Sequence, residues 1–135
     1  MRFVDLWENS KHMNPAVQQE WLRQEIPKRL SEGGVRLAQK GAGAPDRIVV
    51  GIAEYAREDL QLLDNASVAA SALGVILEVF LMTACRSQSE IEEYVPHVGP
   101  VFQSPVVGVW KAGTLKESAS GHAARALLRK ELQLP

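Results

Sequence analysis

The residues whose types could carry chemistry are few: three histidines, one cysteine and a cluster of three glutamates. His12, His97 and His122 lie far apart and form no HxxxH or HExxH pair, so their spacing offers no metal pair on one helix face. Cys85 precedes Arg86, and a neighbouring cation lowers a thiol pKa. A nucleophilic cysteine also needs a base and an orienting partner. None is evident, and Cys85 reads as a buried or incidental thiol. Glu90, Glu92 and Glu93 resemble an acid/base or metal cluster, but in the first turn of a helix capped by Ser87 or Ser89 the helix dipole explains them better. Gly41-Ala42-Gly43-Ala44 lacks the third glycine, the lysine and the following helix of a phosphate loop. Arg125, Arg129 and Lys130 could contact phosphate, yet without aromatic partners they read as a solvated face. No catalytic, cofactor or metal residue is assigned, and the expectation is a protein that is not an enzyme and carries no cofactor.

The elements that would position these residues follow from periodicity. Asn14-Pro15 starts a helix, with Asn as cap and Pro at the first helical position. Val17, Trp21, Leu22, Ile26 and Leu30 recur at helical spacing. Pro27 predicts a kink or a detached last turn, and Gly33-Gly34 ends the helix. Val35–Ala38 reads as a short strand and residues 40–45 as a flexible loop. Arg47–Tyr55 is β-branched and extended. Residues 56–65 read as a charged turn with at most one helical turn in it. The back of Val68–Met82 reads as a returning strand, with Val75, Leu77, Val79 and Leu81 on one face. A helix over Ser89–Val98 presents Ile91, Tyr94, Val95 and Val98 on one side. Val106–Leu115 reads as a strand interrupted by glycine. Ser118–Leu132 has helix-forming composition, yet its alternation also suits a strand.

The chain has 135 residues, 46% of them hydrophobic and 23% charged, with a formal net charge of -1. That predicts one domain over residues 1–135 with one core, neither disordered nor drawn to nucleic acid or anionic membrane by its charge. A single cysteine precludes an internal disulfide. The N-terminal residues lack the apolar core of a signal peptide, and the apolar run Val75–Met82 is too short to span a bilayer. The expectation is a soluble cytoplasmic protein. Among the large anchors, Trp21 is expected in the core. Trp7 and Trp110 could also mark an interface, where tryptophan is enriched.

Taken in order, these elements resemble the tail terminator (tail completion, minor tail protein U-like) family of long-tailed bacteriophages. Pro15–Leu30 resembles its helix, Pro45–Val50 its proline-led first long strand, Ile76–Leu81 its return strand and Ser89–Val95 the helix that follows. Val106–Leu115 and Ala123–Leu132 resemble its closing hairpin. The resemblance implies an α+β fold: a mixed or antiparallel β-sheet with long hairpins packed against two helices. It also implies a structural virion protein of the tail and neck, assembled in the host cytoplasm. Such a protein forms a homo-oligomeric ring, a hexamer in the family, that caps the tail tube protein and joins it to the head-tail connector. The ring would close on a heterologous interface, with a hairpin edge serving the neighbouring subunit. The interface residues implied are Arg57, Glu58, Asp59 and Asp64 at the hairpin tip, and Trp110. No nucleic-acid sequence recognition and no membrane contact are expected. A second resemblance, carried by Val4–Ala38, is to SpoIIAA-like (STAS-type) regulatory domains, which implies a small binding module of unknown ligand.

Overall fold

The structure, a computed structural model, describes residues 2–135. Helices α1 (Phe3–Ser10) and α2 (Pro15–Glu32) precede a short strand β1 (Arg36–Leu37). Strand β2 (Arg47–Ile52), helix α3 (Arg57–Leu73) and strand β3 (Leu77–Leu81) follow, then a 3-10 turn at Met82–Ala84 and helix α4 (Gln88–Tyr94). Strands β4 (Val106–Lys111) and β5 (Thr114–Ser120) and helix α5 (His122–Leu132) complete the chain. The five strands form one sheet in the order β1-β3-β2-β4-β5. β1, β3 and β2 run parallel, whereas β4 and β5 run antiparallel to their neighbours. The molecule is therefore α+β with a mixed sheet, as expected.

The pairing of the two long extended segments differs from expectation. They do not form a hairpin. β2 and β3 are parallel, with Ile48 beside Leu77 and Ile52 beside Leu81, and a parallel pair needs a crossover. That crossover is α3, which occupies the residues expected to form a charged turn. Its polar first turn disguises a helical stripe: Leu60, Leu63, Ala66 and Ala70 recur at three- and four-residue spacing and are all buried. Gly74, in the left-handed region at φ 69°, ends the helix and turns the chain into β3.

Elsewhere the helix-start and helix-stop signals held, while the break expected at Pro27 did not form. The Asn14 side chain accepts from the Ala16 N–H, Pro15 opens α2 and Gly33 closes it. α2 runs through Pro27 without a break, because Leu22, Ile26 and Leu30 on one face are fully packed, each worth about 2 kcal/mol of buried apolar surface. Trp21 is only half-buried at the edge of that core. Ser87 caps α4, which stops at Tyr94 before Pro96. Ala112-Gly113 divides the expected strand Val106–Leu115 into the hairpin β4–β5. Ser118–Leu132 contains both alternatives: it ends β5 and, past Gly121 at φ 64°, becomes α5. The closing hairpin is thus β4–β5, and Ala123–Leu132 lies in a helix.

The period of two sorts each strand between two layers. Ile48, Val50 and Ile52 of β2, Leu77 and Val79 of β3, and Val107 and Val109 of β4 join a core with α1, α2, α3 and α5. Val49, Phe80, Val106 and Trp110 face the other way, under Ile91, Tyr94 and the 95–101 segment. There the Phe80 and Tyr94 rings stack with centroids 4.2 Å apart. Gly51 makes room for this: a side chain there would collide with the Phe80 ring.

Candidate functional site

One end of the sheet gathers chain segments that are distant in sequence. β2 and β3 end there, at Ile52 and Leu81, which are register partners. β4 begins there, since Val106 pairs with Gly51, and β5 ends there, since Val106 also pairs with Ser120. The first turns of α3 and α5 follow directly. In open sheets with parallel strands, the carboxyl ends of the strands are where ligands bind.

Two buried carboxylates fix this end. Glu54, just past β2, is fully buried. It accepts from Arg23 Nε of α2 at 2.9 Å and from the Thr83 hydroxyl after β3. Asp59, in the first turn of α3, is 1% exposed. It accepts from the Ala53 N–H at 3.0 Å and from Arg125 Nη2 of α5 at 2.7 Å. Each acid thus ties the end of β2 to a flanking helix, with both of its carboxylate oxygens engaged in doing so.

A cleft of 790 Å³ opens above this floor. Tyr55, Glu58, Phe102, Ser104, His122 and Arg129 are among the residues that line it. Phe102 is 90% exposed and Tyr55 is 61% exposed, large values for aromatic side chains. The Tyr55 backbone is held by Trp7, whose Nε1 donates to the Tyr55 carbonyl at 3.1 Å. The stem of the Phe102 loop is held by Gln88, which accepts from Val101 N at 3.1 Å and donates to the Gly99 carbonyl. The aromatic pair is therefore displayed on anchored backbone.

The turn that opens α3 is chemically informative. A Cys-x-x-Cys pair beside a βαβ unit is the thioredoxin-like redox motif, and a thiol at a helix N-terminus is acidified there. Here β2–α3–β3 is the βαβ unit, and the turn reads Ala56-Arg57-Glu58-Asp59. It carries no thiol: Ala56 has a methyl group and Asp59 an engaged carboxylate. Cys85, the one cysteine in the sequence, lies in the other layer, against the core of Phe80 and Trp110. Burial, then the negative charge of Glu90, pushes its thiol pKa up.

Of the residues expected at an interface, Arg57, Glu58 and Asp59 do come together at this end, on a helix rather than a hairpin tip. Arg57 is exposed and pairs with Glu8 at 2.6 Å. With Lys11, it holds the Glu8 carboxyl below its usual range. Asp64 and Trp110 lie elsewhere. Asp64 is buried and accepts from the backbone N–H groups of Phe3 and Val4 at 2.6 and 2.9 Å, so that α3 caps α1. Trp110 is 8% exposed, at the opposite end of β4, beneath the Arg47 guanidinium 4.0 Å from its ring. Arg47 faces Glu78 at 3.4 Å in that layer, where burial raises the Glu78 pKa against the opposing pull of Arg47 and Arg36.

Sequence reasoning missed Tyr55, Glu54 and Phe102. The signal for Phe102 was present: a large aromatic in the Gly99–Pro105 segment, between two prolines and outside any periodic element. Among the described residues, no group of three His, Cys, Asp or Glu side chains is arranged to hold a metal ion, and no helix is long and apolar enough to cross a membrane. No family model, no curated protein and no solved structure matches the chain.

Proposed function

We propose that the chain is a binding module on a thioredoxin-like scaffold without redox chemistry, and that the Tyr55–Phe102 cleft is the surface that holds its partner, a segment of another protein. The observation that carries this reading is an exposed, backbone-anchored aromatic pair beside a crossover-helix turn that holds no thiol. Aromatic residues are the typical anchors of protein interfaces. The two buried acids beneath it, Glu54 and Asp59, are occupied by structural hydrogen bonds.

The tail-terminator role, with its ring, tail tube and connector partners, remains a separate proposal. The hairpin on which it rested is a parallel βαβ unit, and its tip is the first turn of α3. The cleft belongs instead to the binding-module class, although the elements that carry it lie outside the Val4–Ala38 segment that resembles SpoIIAA-like domains.

Selection of a random linear peptide library on the intact domain tests the cleft. Enriched peptides are expected to bind at least tenfold more weakly to a Tyr55→Ala/Phe102→Ala variant. Peptides whose binding ignores both substitutions, or an absence of enrichment, would overturn the reading.

A further inference from the structure

A polar site lies near the amino ends of β2 and β3, away from the cleft. Glu78 of β3 is 5% exposed, on the same face of the sheet as Phe80. Its Oε1 faces Arg47 Nε at 3.4 Å, yet neither atom has a hydrogen-bond partner. Buried polar atoms almost always find a partner, and a carboxylate oxygen left without one is open to a ligand's donor. The same Glu78 lines a pocket of 340 Å³ together with Arg36, Gln39 and residues 42–44.

The loop that walls this pocket is tied down. The Gly41 N–H donates to the Glu93 carbonyl at 3.1 Å, and Lys40 pairs with Glu90 and Glu93 at 3.0 and 3.1 Å. Gly43 lies against the Arg47 guanidinium, where a side chain would collide with it. The Trp110 ring packs 4.0 Å from that guanidinium, and Arg47 Nη1 donates to the Ala44 carbonyl at 2.8 Å. Arg47 is thus committed to the protein. Arg36 is exposed, and among the described residues it has no carboxylate within ion-pair distance. Arg36 and Glu78 are register partners on adjacent parallel strands. Such strands lie about 4.8 Å apart, so the two side chains leave the sheet side by side on one face. The pocket therefore presents one charge of each sign.

A ligand of a single charge meets repulsion here, a cation from Arg36 and Arg47 and an anion from Glu78. A ligand with both charges close together satisfies both walls. We infer that this pocket binds a free α-amino acid, its carboxylate on Arg36 and its ammonium on Glu78. A guanidinium offers a carboxylate two parallel donors, and an ammonium supplies the donors that Glu78 lacks. Burial disfavours the ionised form of Glu78, and an ammonium beside it offsets that cost. Ligand pockets run from about 300 to 1,000 Å³, so a cavity of 340 Å³ suits a small ligand. The site is independent of the Tyr55–Phe102 cleft, and either can fail without the other.

The test titrates each common L-amino acid into the whole domain by calorimetry. Any that binds is compared with its amide and its N-acetyl derivative, each of which has lost one charge. Saturable binding of at least one amino acid is expected, weaker by at least tenfold for both derivatives and for the Arg36→Ala and Glu78→Gln variants. Arg36 is exposed, so its variant should melt with the wild type and decides the matter even where Glu78→Gln unfolds. Tyr55→Ala/Phe102→Ala should bind the amino acid as the wild type does. No binding by any amino acid, equal binding of the derivatives, or indifference to the Arg36 substitution would overturn the proposal. Loss of binding in the cleft variant would overturn the placement of the site.

Discussion

Asp59 in the first turn of α3 and Arg125 in α5 meet at 2.7 Å, with the second Asp59 oxygen on the Ala53 N–H. One carboxylate thereby fixes two helices to the end of β2. Replacing Asp59 with Ala leaves a buried N–H without its acceptor and Arg125 without its partner. Breaking a buried pair costs about 3–5 kcal/mol, and the partial exposure of Arg125 reduces that to about 2–4 kcal/mol. Urea unfolding of the two single variants and the double variant should show a coupling energy above about 1 kcal/mol between the sites. Additive effects would mean the pair is incidental.

Asp64 should behave as the cap of a helix to which it does not belong. Asp64→Ala removes the acceptor of two N–H groups in the first turn of α1, at a cost of about 2 kcal/mol. Because α1 packs on α3 through Phe3 and Leu6, hydrogen exchange should accelerate first in residues 3–10. Uniform acceleration across the sheet would contradict this role.

The turn that opens α3 makes a chemical prediction. Ala56 is the N-cap of α3, so a cysteine placed there should titrate below the ordinary value of about 8.5. Ala56→Cys/Asp59→Cys also frees the Arg125 cation nearby, which acts in the same direction. Thiolate absorbance against pH reads it directly, and a thiol pKa of 8.5 or higher would contradict the assigned geometry.

Glu78 predicts a pH dependence of fixed sign. Burial raises its pKa above the ordinary 4.5, so the folded chain binds this proton more tightly than the unfolded chain does. Its contribution favours folding below pH 4.5 and is lost as pH rises through the raised value. Glu78→Gln should abolish that loss, and the difference between wild-type and variant stability should change across this window and be flat elsewhere. A difference independent of pH would show that Glu78 titrates normally.

Much of the fold was legible because its signals are local. Asn14 and Ser87 announced their helices by side-chain chemistry, and Gly33 ended α2 as a glycine should. The alternation of Leu77, Val79 and Leu81 marked both the strand and its core face. What was misread required weighing two periods in one segment. The Arg57–Asn65 stretch is polar enough to pass for a turn, and only the spacing of Leu60, Leu63, Ala66 and Ala70 reveals the crossover helix. Once that helix is missed, a parallel pair becomes a hairpin. The cleft was less legible still. Tyr55, Phe102, and the α5 pair His122 and Arg129 come from three segments that only the sheet order brings together. Asp59, which looks like an exposed charge, is buried through a contact with Arg125, 66 positions away.

The most direct measurement is the affinity of library-selected peptides for the wild-type domain and for Tyr55→Ala/Phe102→Ala, by calorimetry at one salt concentration. Both side chains are exposed, so the variant should match the wild type in melting temperature. The cleft account predicts binding that weakens at least tenfold, about 1.4 kcal/mol or more, with folding unchanged. Equal affinity for the two proteins would contradict it.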